Sequence, residues 1–391
     1  MNSNFIAGLL SFALISWLLI AVLLFASYLA TPFLKKSKGK KPQSTPLISV
    51  IIPAKDEEEN IEACIRSILA QDYTNLEILV VDDRSNDRTL EIASKFENSE
   101  SKVRVIQVKE LPKGWTGKNH AIHEGVKPAG GELLLFVDAD TEHDPRTITS
   151  SVVQMEQHSL DALSIEPYFV WTRFIQKLTF SILTTVVACL FPIFLVNHKG
   201  SHRTLSNGQY ILIKKKVYDT IGGHEAIKNR ILEDLALIEN TKKNGFNYNL
   251  AVGTDFIKVK MYRDLATFWK GWGRILFPAL KRNLLLATFL YFLAIVISII
   301  PFIIVFHAFL AWMAGLPPLN TISILAICVI CTIYITNGFI NYFFRINPFY
   351  TLLHPFAVLS GMAILGNSVW ISLKKKQIEW KGTIYNIASN P

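Results

Sequence analysis

Charged residues are scarce in this chain of 391 amino acids, and they are unevenly placed. They make up 18% of it; residues 1–34 contain none, and residues 283–373 contain only Arg345. Cysteine is rarer still, four in all, which excludes a disulfide-stapled scaffold. A composition that is 50% hydrophobic leaves no room for a disordered chain. Long uncharged runs at both ends of a charged centre point to a protein held in a bilayer by its ends.

A net charge of +9 raises the question of nucleic acid. The location of the surplus excludes it. Of the 40 basic residues, five are Lys35, Lys36, Lys38, Lys40 and Lys41, and five more are Arg345, Lys374, Lys375, Lys376 and Lys381. The other 30 share residues 42–282 with 30 of the 31 acids, so the centre is nearly neutral. The excess flanks apolar segments, where lysine is retained on the cytoplasmic side and attracted to anionic headgroups. The expected partner is a lipid bilayer, with no nucleic acid.

Residues 5–30 are an unbroken apolar run, longer than the roughly 20 residues a helix needs to cross the hydrocarbon core. The run is too long for a signal-peptide core and has no small-residue cleavage site after it, so it reads as an uncleaved anchor. The lysines that follow place the next residues in the cytoplasm. From Leu47 the pattern changes: short β-branched runs at 47–53, 76–83, 103–108 and 132–138 alternate with helical stretches such as 58–71 and 88–96. That alternation predicts βαβ units and a mostly parallel sheet, with ligand chemistry at the carboxyl ends of its strands.

Residues 178–196 are also uncharged, but Pro192 and several Thr and Ser weaken them as a span. A crossing there would put the acidic motifs on its two sides in opposite compartments, so the segment reads as a helix in the membrane interface. Three apolar stretches follow, at 284–314, 322–344 and 352–373. Three crossings from the inside would leave Lys374, Lys375 and Lys376 outside, against the positive-inside rule. Either one stretch is re-entrant, with the polar middle one (Thr332, Thr336, Asn337, Asn341) the first choice, or the final lysines break the rule. Cys328 and Cys331 form a CxxC, but within Ile, Leu and Val they read as small apolar residues on one helical face.

Acids mark the strand ends. Asp82 and Asp83 close the second strand (VVDDRSNDRT), where a carboxylate accepts hydrogen bonds from a ribose or a base N–H. Ser85 or Asn86 is left to cap the helix near Arg88. Asp138 and Asp140 follow the fourth strand (FVDADTEHDP), and two carboxylates so spaced repel unless a cation lies between them. Hard oxygen ligands suit Mg2+ or Mn2+, which bridges a diphosphate. An isolated DxD is as readily a solvated turn. Here a third acidic pair, Glu233 and Asp234, follows in ILEDLALIEN.

Three acidic clusters in that order, with the opening PAKDEEENI beginning at Pro53, resemble family-2 glycosyltransferases of the GT-A fold over residues 47–282. The fold this implies is an α/β nucleotide-diphospho-sugar transferase domain, a mostly parallel sheet flanked by helices, with N- and C-terminal transmembrane helices. The expected boundaries are an anchor (1–34), a basic linker (35–46), a nucleotide-sugar-binding half that includes Pro53 (47–170), an apolar interfacial or acceptor-side segment (171–198), an acceptor half (199–283), C-terminal membrane segments (284–373) and a basic tail (374–391). The resemblance implies that Asp83, with Asp82, contacts the nucleotide, and that Asp138 and Asp140 hold metal and diphosphate. Glu142 stands where related polyprenyl-phosphate sugar transferases carry a metal-supporting Gln. Asp234, beside Glu233, becomes the catalytic base, since inverting transfer needs a carboxylate to take the acceptor proton.

The element KGWTGKNHAIHEG (113–125), with NGQY (207–210), GGH (222–224) and IEWKGTIYNI (378–387), resembles more narrowly the carotenoid-acid glycosyltransferases of C30 carotenoid synthesis. Lys118 follows a Gly-containing turn and opens a helix, so it either faces a diphosphate or is one more surface lysine. His224, after two glycines, is a candidate for the metal or acceptor. Trp272 and Arg274, in FWKGWGR, suit a membrane interface and substrate contact. That segment lacks the Q-x-x-R-W of processive synthases, which argues against chain extension. The expectation is a multi-pass cell-membrane enzyme with a cytoplasmic catalytic domain, which moves glucose from UDP-glucose onto a lipophilic acceptor such as the carboxyl of a C30 carotenoid acid. A polyprenyl-phosphate sugar transferase or glycolipid synthase, and an inactive membrane scaffold or sensor, are the alternatives.

Overall fold

A computed structural model describes residues 3–36, 42–262, 264–317, 320–375, 377–380 and 383–386. Lys38, Lys40, Lys41, Lys376 and Lys381, part of the expected basic linker and tail, lie outside the described residues, as do parts of the 378–387 motif.

Helix α1 (Ser3–Leu29) is followed by β1 (Ile48–Ala54), α2 (Ile61–Leu69), β2 (Leu76–Asp83), α3 (Thr89–Ser99), β3 (Val103–Val108), α4 (Gly117–Val126) and β4 (Leu133–Val137). Strands β1 to β4 pair in parallel, in the order β3-β2-β1-β4, as the βαβ reading requires. The Val, Ile and Leu runs of β1, β2 and β4 are buried on both faces, as expected of strands covered by helices, while the edge strand β3 is partly exposed. Next come β5 (Thr141–His143), α5 (Thr147–Gln157), β6 (Ala162–Glu166), β7 (Tyr168–Phe169), α6 (Phe174–Leu190), α7 (Ile193–Val196), β8 (Tyr210–Lys214), α8 (Lys215–Thr220), α9 (Glu233–Lys243), β9 (Tyr248–Val252) and β10 (Ile257–Val259). Strands β8, β6 and β9 extend the sheet to seven, and β8 runs antiparallel to both neighbours, so the sheet is mixed. A small sheet, β5-β10-β7, sits beside it.

The segment just after α1 is stitched to this sheet. Just past α1, Phe33 bridges Val252, with Leu34 N–H donating to the Val252 carbonyl at 2.9 Å and Val252 N–H to Pro32 at 2.9 Å. The base of α1 therefore lies next to the carboxyl ends of β9 and β6.

The C-terminal part contains α10 (Leu265–Ala279), α11 (Leu284–Ala294), α12 (Ile300–Met313), α13 (Thr321–Phe343) and α14 (His354–Trp370), then the hairpin β11 (Gln377–Trp380) and β12 (Thr383–Asn386). Among the described residues, Ser3–Leu29, Leu284–Met313, Thr321–Phe343 and Pro348–Lys374 are long and apolar enough to cross a membrane. Large apolar side chains such as Leu19, Val22, Phe289 and Phe292 cover the outside of this bundle. A π-turn at Ile295–Ile299 joins α11 to α12, and the Trp17 indole N–H of α1 donates to the Ile297 carbonyl within it at 2.9 Å. Segment 178–196 falls on α6, a 17-residue helix that begins at Phe174, and on the short α7, divided at Pro192 and below spanning length. The helix packs on α14, with Thr179 and Ser360 hydroxyls 2.8 Å apart.

The middle apolar stretch, first choice for re-entrance, is instead one continuous helix of 23 residues. Its polar residues do not break it; Thr336 and Asn337 bond back to the preceding turn, and Asn341 donates to Thr351 Oγ1 at 3.0 Å. The hairpin geometry belongs to the last stretch. Arg345 at its start pairs with Asp255 of the α/β domain at 2.5 Å. A 3-10 turn (Pro348–Leu353) then climbs to His354, which meets Trp17 and Phe302 halfway along their helices. From there α14 descends beside α11, Tyr291 donating to the Met362 carbonyl, until Ser368 Oγ accepts from Phe277 N–H of α10 at 3.0 Å. Both ends of the segment thus lie at the end of the bundle that carries the α/β domain. Cys328 and Cys331 are exposed free thiols, and Cys64 and Cys189 are free as well.

Candidate active site

The site is built where β1, β2 and β4 end and α4 and α9 begin. The loop after β1 is locked onto the loop after β2: Asp56 and Glu57 N–H donate to Ser85 Oγ and Thr89 Oγ1 at 3.1 and 2.7 Å, and Glu58 N–H donates to Asp87 at 3.0 Å. Asp87, rather than Ser85 or Asn86, supplies the carboxylate that receives Thr89 N–H at 2.9 Å and opens α3. Asp87 prevails because it precedes Thr89 by two residues, an Asx-turn spacing the other two do not have. This crosslinking holds Asp83 at the cavity wall, where Arg84 bonds its carboxylate at 2.8 Å. Asp82 is buried 1% exposed, does not line the cavity, and has its carboxyl pushed up by burial, in part offset by hydrogen bonds from Ser85. Of the two acids only Asp83 faces the cavity.

Lys118 is the centre of the arrangement. Thr116 caps α4 by accepting Asn119 N–H, which sets Lys118 in the first turn. Its ammonium lies 2.7 Å from Asp138 and 2.7 Å from Glu233, so the acids of two distant motifs sit within two hydrogen-bond lengths of each other. Burial disfavours that ammonium, but the charges of Asp138 and Glu233 outweigh it and hold the pKa above the ordinary lysine value. The reading of Lys118 as a surface lysine does not fit this position. Asn119, which sequence reasoning passed over, donates to the Ile227 and Arg230 carbonyls at 2.8 and 3.0 Å and so ties α4 to the loop before Glu233. The element W-x-G-K-x-H-A contained it, but nothing local revealed its partner 108 residues away.

Asp234 has its carboxyl raised well above the usual range by burial, then by the Glu233 charge, with Lys118 pulling it partly back. Gly208 of the NGQY element is pressed against the same place: a Cβ there would stand 3.3 Å from both Lys118 Nζ and Asp234 Cβ, so a side chain would push against the site. Its neighbour Asn207 donates to Glu166 at 3.1 Å. Glu166, also missed in the sequence, lines the cavity at the end of β6 with its carboxyl pushed up to about 7 by burial.

Pro53, Asp83, Lys118, Asp138, Asp140, Glu233, Asp234, Trp272 and Arg274 all line one cavity of about 1920 Å³. Trp272 lines it with an indole N–H that has no hydrogen-bond partner among the described residues. Besides Asp82, two expected residues do not join them. Glu142 turns to the small sheet and pairs with Lys260 at 2.7 Å, because at i+2 from Asp140 it falls on β5, whose register sets it opposite β10. His224 is buried behind the site, with Nδ1 2.9 Å from the Tyr218 hydroxyl, and burial followed by the Lys118 charge lowers its pKa to about 3. Gly223, at φ +50°, with no room beside Tyr218 for a Cβ, makes the turn that buries it.

Among the described residues no group of three or more His, Cys, Asp or Glu is gathered as a ready-made metal cage. What is present is two hard carboxylates, Asp138 and Asp140, on an open cavity. That set fits Mg2+ or Mn2+ completed by phosphate oxygens, because such ions are commonly held by one or two carboxylates plus substrate.

A parallel sheet that extends into a mixed one, with acids at its strand ends and a further acidic pair opening a facing helix, is the arrangement of the GT-A fold. Residues 49–221 match glycosyl transferase family 2, and the chain carries a family-2 glycosyltransferase domain. It is 29% identical over 247 residues to 4,4'-diaponeurosporenoate glycosyltransferase of Staphylococcus haemolyticus, covering 62% of this chain and 63% of the relative. The Staphylococcus aureus protein of the same name is 26% identical over 233 residues, 58% of this chain and 60% of the relative. The matched stretch thus spans about three fifths of the length of these curated relatives. Among solved structures, mannosyltransferase PcManGT from Pyrobaculum calidifontis, in complex with GDP-Man and Mn2+, superposes with a TM-score of 0.54 at 15% identity, over 95% of this chain and 99% of that one. That likeness establishes a shared fold.

Proposed function

We propose that the protein is a multi-pass membrane glycosyltransferase that transfers glucose from UDP-glucose, with inversion, onto a lipophilic acceptor in the bilayer, its catalytic domain cytoplasmic and its acceptor the carboxyl of a C30 carotenoid acid. One observation carries the reading: Lys118 joins the Asp138 and Glu233 carboxylates in a cavity whose far wall is made of apolar helices of membrane-spanning length. A water-soluble donor and a lipid acceptor can meet only at such a boundary. A cavity of about 1920 Å³ exceeds the roughly 300–1,000 Å³ of an ordinary small-molecule pocket and has room for two substrates.

Asp83 would receive hydrogen bonds from the nucleoside, and Asp138 and Asp140 would hold a Mg2+ or Mn2+ ion beside the diphosphate, where it would supply charge neutralisation for the departing UDP. Lys118 adds a fixed positive charge beside the same phosphates. The acceptor oxygen forms its bond to the anomeric carbon from the face opposite the breaking bond to UDP. Where the acceptor is a hydroxyl, Asp234 takes its proton, and a raised carboxyl pKa matches that task near neutral pH. A carboxylate acceptor brings no proton, and Asp234 then orients it.

Cationic side chains around the cavity, Arg203, Arg230, Lys270 and Arg274 among them, favour an acidic acceptor head and keep a second reading open, a polyprenyl-phosphate sugar transferase. The test is an assay of detergent-solubilised full chain with UDP-glucose and total membrane lipids, with and without EDTA, read by mass spectrometry. Glucosylated carotenoid acid formed only without EDTA supports the first reading; glucosyl-phosphate lipid supports the second; EDTA-insensitive turnover or none refutes both.

A further inference from the structure

The cavity does not stop at the carboxylates. It continues past Glu166 to Thr31 just after α1, to Tyr28 and Leu24 on α1, to Thr184 and Val187 on α6, and to Phe339 and Phe343 on α13. These three helices touch one another, with the Tyr28 and Phe339 rings 5.3 Å apart. The stitch of Phe33 to Val252 places the base of α1 beside the strand end that pairs with Glu166. The route from the acids therefore runs directly between helices whose outer surface is apolar, and its own lining turns from charged to apolar along its length.

We infer that this passage is the acceptor site: a long single-chain lipid lies with its tail between α1, α6 and α13 and its acidic oxygen head against Glu166 and Asn207. The inference rests on the transferase reading and assigns it an acceptor shape. A single chain is the occupant assigned because Leu24, Tyr28, Thr184, Val187, Phe339 and Phe343 line one continuous cavity. Glu166 suits the head because Asn207 fixes its carboxyl from one side at 3.1 Å. Burial also keeps a proton on that carboxyl up to about pH 7, which leaves a donor for an incoming carboxylate or phosphate oxygen. Asn207 itself belongs to the NGQY turn, whose Gly208 packs on Lys118 and Asp234, so the head group is held next to the reacting carboxylates. Burial of apolar chain in such a passage strengthens binding about fourfold for each added methylene.

The experiment uses the full chain in lipid nanodiscs and a long-chain fatty acid bearing a mid-chain diazirine. Cross-links mapped by mass spectrometry are expected at 24–28, 184–187 and 339–343, and excess unlabelled fatty acid should compete them away. Labelling confined to outward-facing Leu19, Val22, Phe289 or Phe292, or labelling without competition, overturns the inference. Val187→Trp is expected to cut competed labelling at least fivefold. Glu166→Met, which keeps the length but has no donor, should raise the KM for a long-chain acid acceptor at least tenfold with the KM for UDP-glucose unchanged; an unchanged acceptor KM overturns the head-group assignment. A wild-type protein that labels in the passage but turns over no UDP-sugar refutes the transferase reading and leaves the lipid site standing.

Discussion

Replacing Lys118 by Ala removes the one cation that lies 2.7 Å from both Asp138 and Glu233. Three carboxylates, with Asp234 the third, then share a partly enclosed space without it. For fully buried pairs, loss of a partner costs about 3–5 kcal/mol. The Lys118 side chain is 25% exposed on an open cavity, so about 2 kcal/mol of stability is the better figure. The catalytic effect should be larger, because a positioned charge on a developing oxyanion is commonly worth a factor of about 100 to 1,000 in kcat. Lys118 also holds the Asp234 pKa down against burial and Glu233. Its removal therefore raises that pKa further, and the acid limb of kcat/KM moves to higher pH. Initial rates of UDP-glucose turnover across pH 5.5 to 9, with thermal melts to confirm folding, test both effects. A folded Lys118→Ala enzyme with kcat/KM within threefold of wild type and an unmoved acid limb would refute the reasoning. Tighter Mn2+ binding together with faster turnover would refute it too, since Lys118 would then only be competing for Asp138.

Asp140→Ala and Asp234→Ala should each abolish transfer, with expression and membrane insertion intact, as neither side chain lies in the apolar core; wild-type rates in either would defeat that assignment. Glu166 has a folded pKa of about 7 against an ordinary 4.5, so the folded state holds the extra proton. Its contribution is complete below about pH 4.5 and is lost as pH rises through 7, about 2 kcal/mol once partial access of water is allowed for. The melting temperature should accordingly fall between pH 5 and 8, less steeply in Glu166→Gln; parallel curves would contradict this. The hairpin course of the last apolar segment puts its C-terminal end on the side of the catalytic domain. With Cys328 and Cys331 replaced by Ser, a cysteine at Lys374 should react with a membrane-impermeant maleimide from the face opposite to one at Gly315, and labelling of both from one face would rule the hairpin out.

Much of the site was legible because strand ends concentrate ligand chemistry. Buried β-branched runs ending in Asp83 and in Asp138 with Asp140 announce where a crevice opens, and periodicity alone locates those strands to within a residue or so. Position relative to the strand is weaker information. Asp82 and Asp83 look equivalent in sequence, yet alternation of side chains about the strand sends only Asp83 to the cavity. Glu142 is lost to the site for a similar reason, since it falls on β5 and its side chain pairs with Lys260, 118 residues away.

The amino-acid sequence by itself determined the apolar segments of membrane-spanning length, the α/β domain and the order of the acidic motifs, because hydropathy, strand periodicity and residue type are local properties. Tertiary structure alone decided that Lys118 stands between two of those motifs, that Asn119 fastens one helix to the loop before another, and that Glu166 faces the passage into the bundle. It also decided which apolar stretch turns back, because a continuous helix and a hairpin have the same hydropathy and differ only in what their ends touch. Charge pairing and close packing join residues a hundred or more positions apart, and no local pattern encodes the partner.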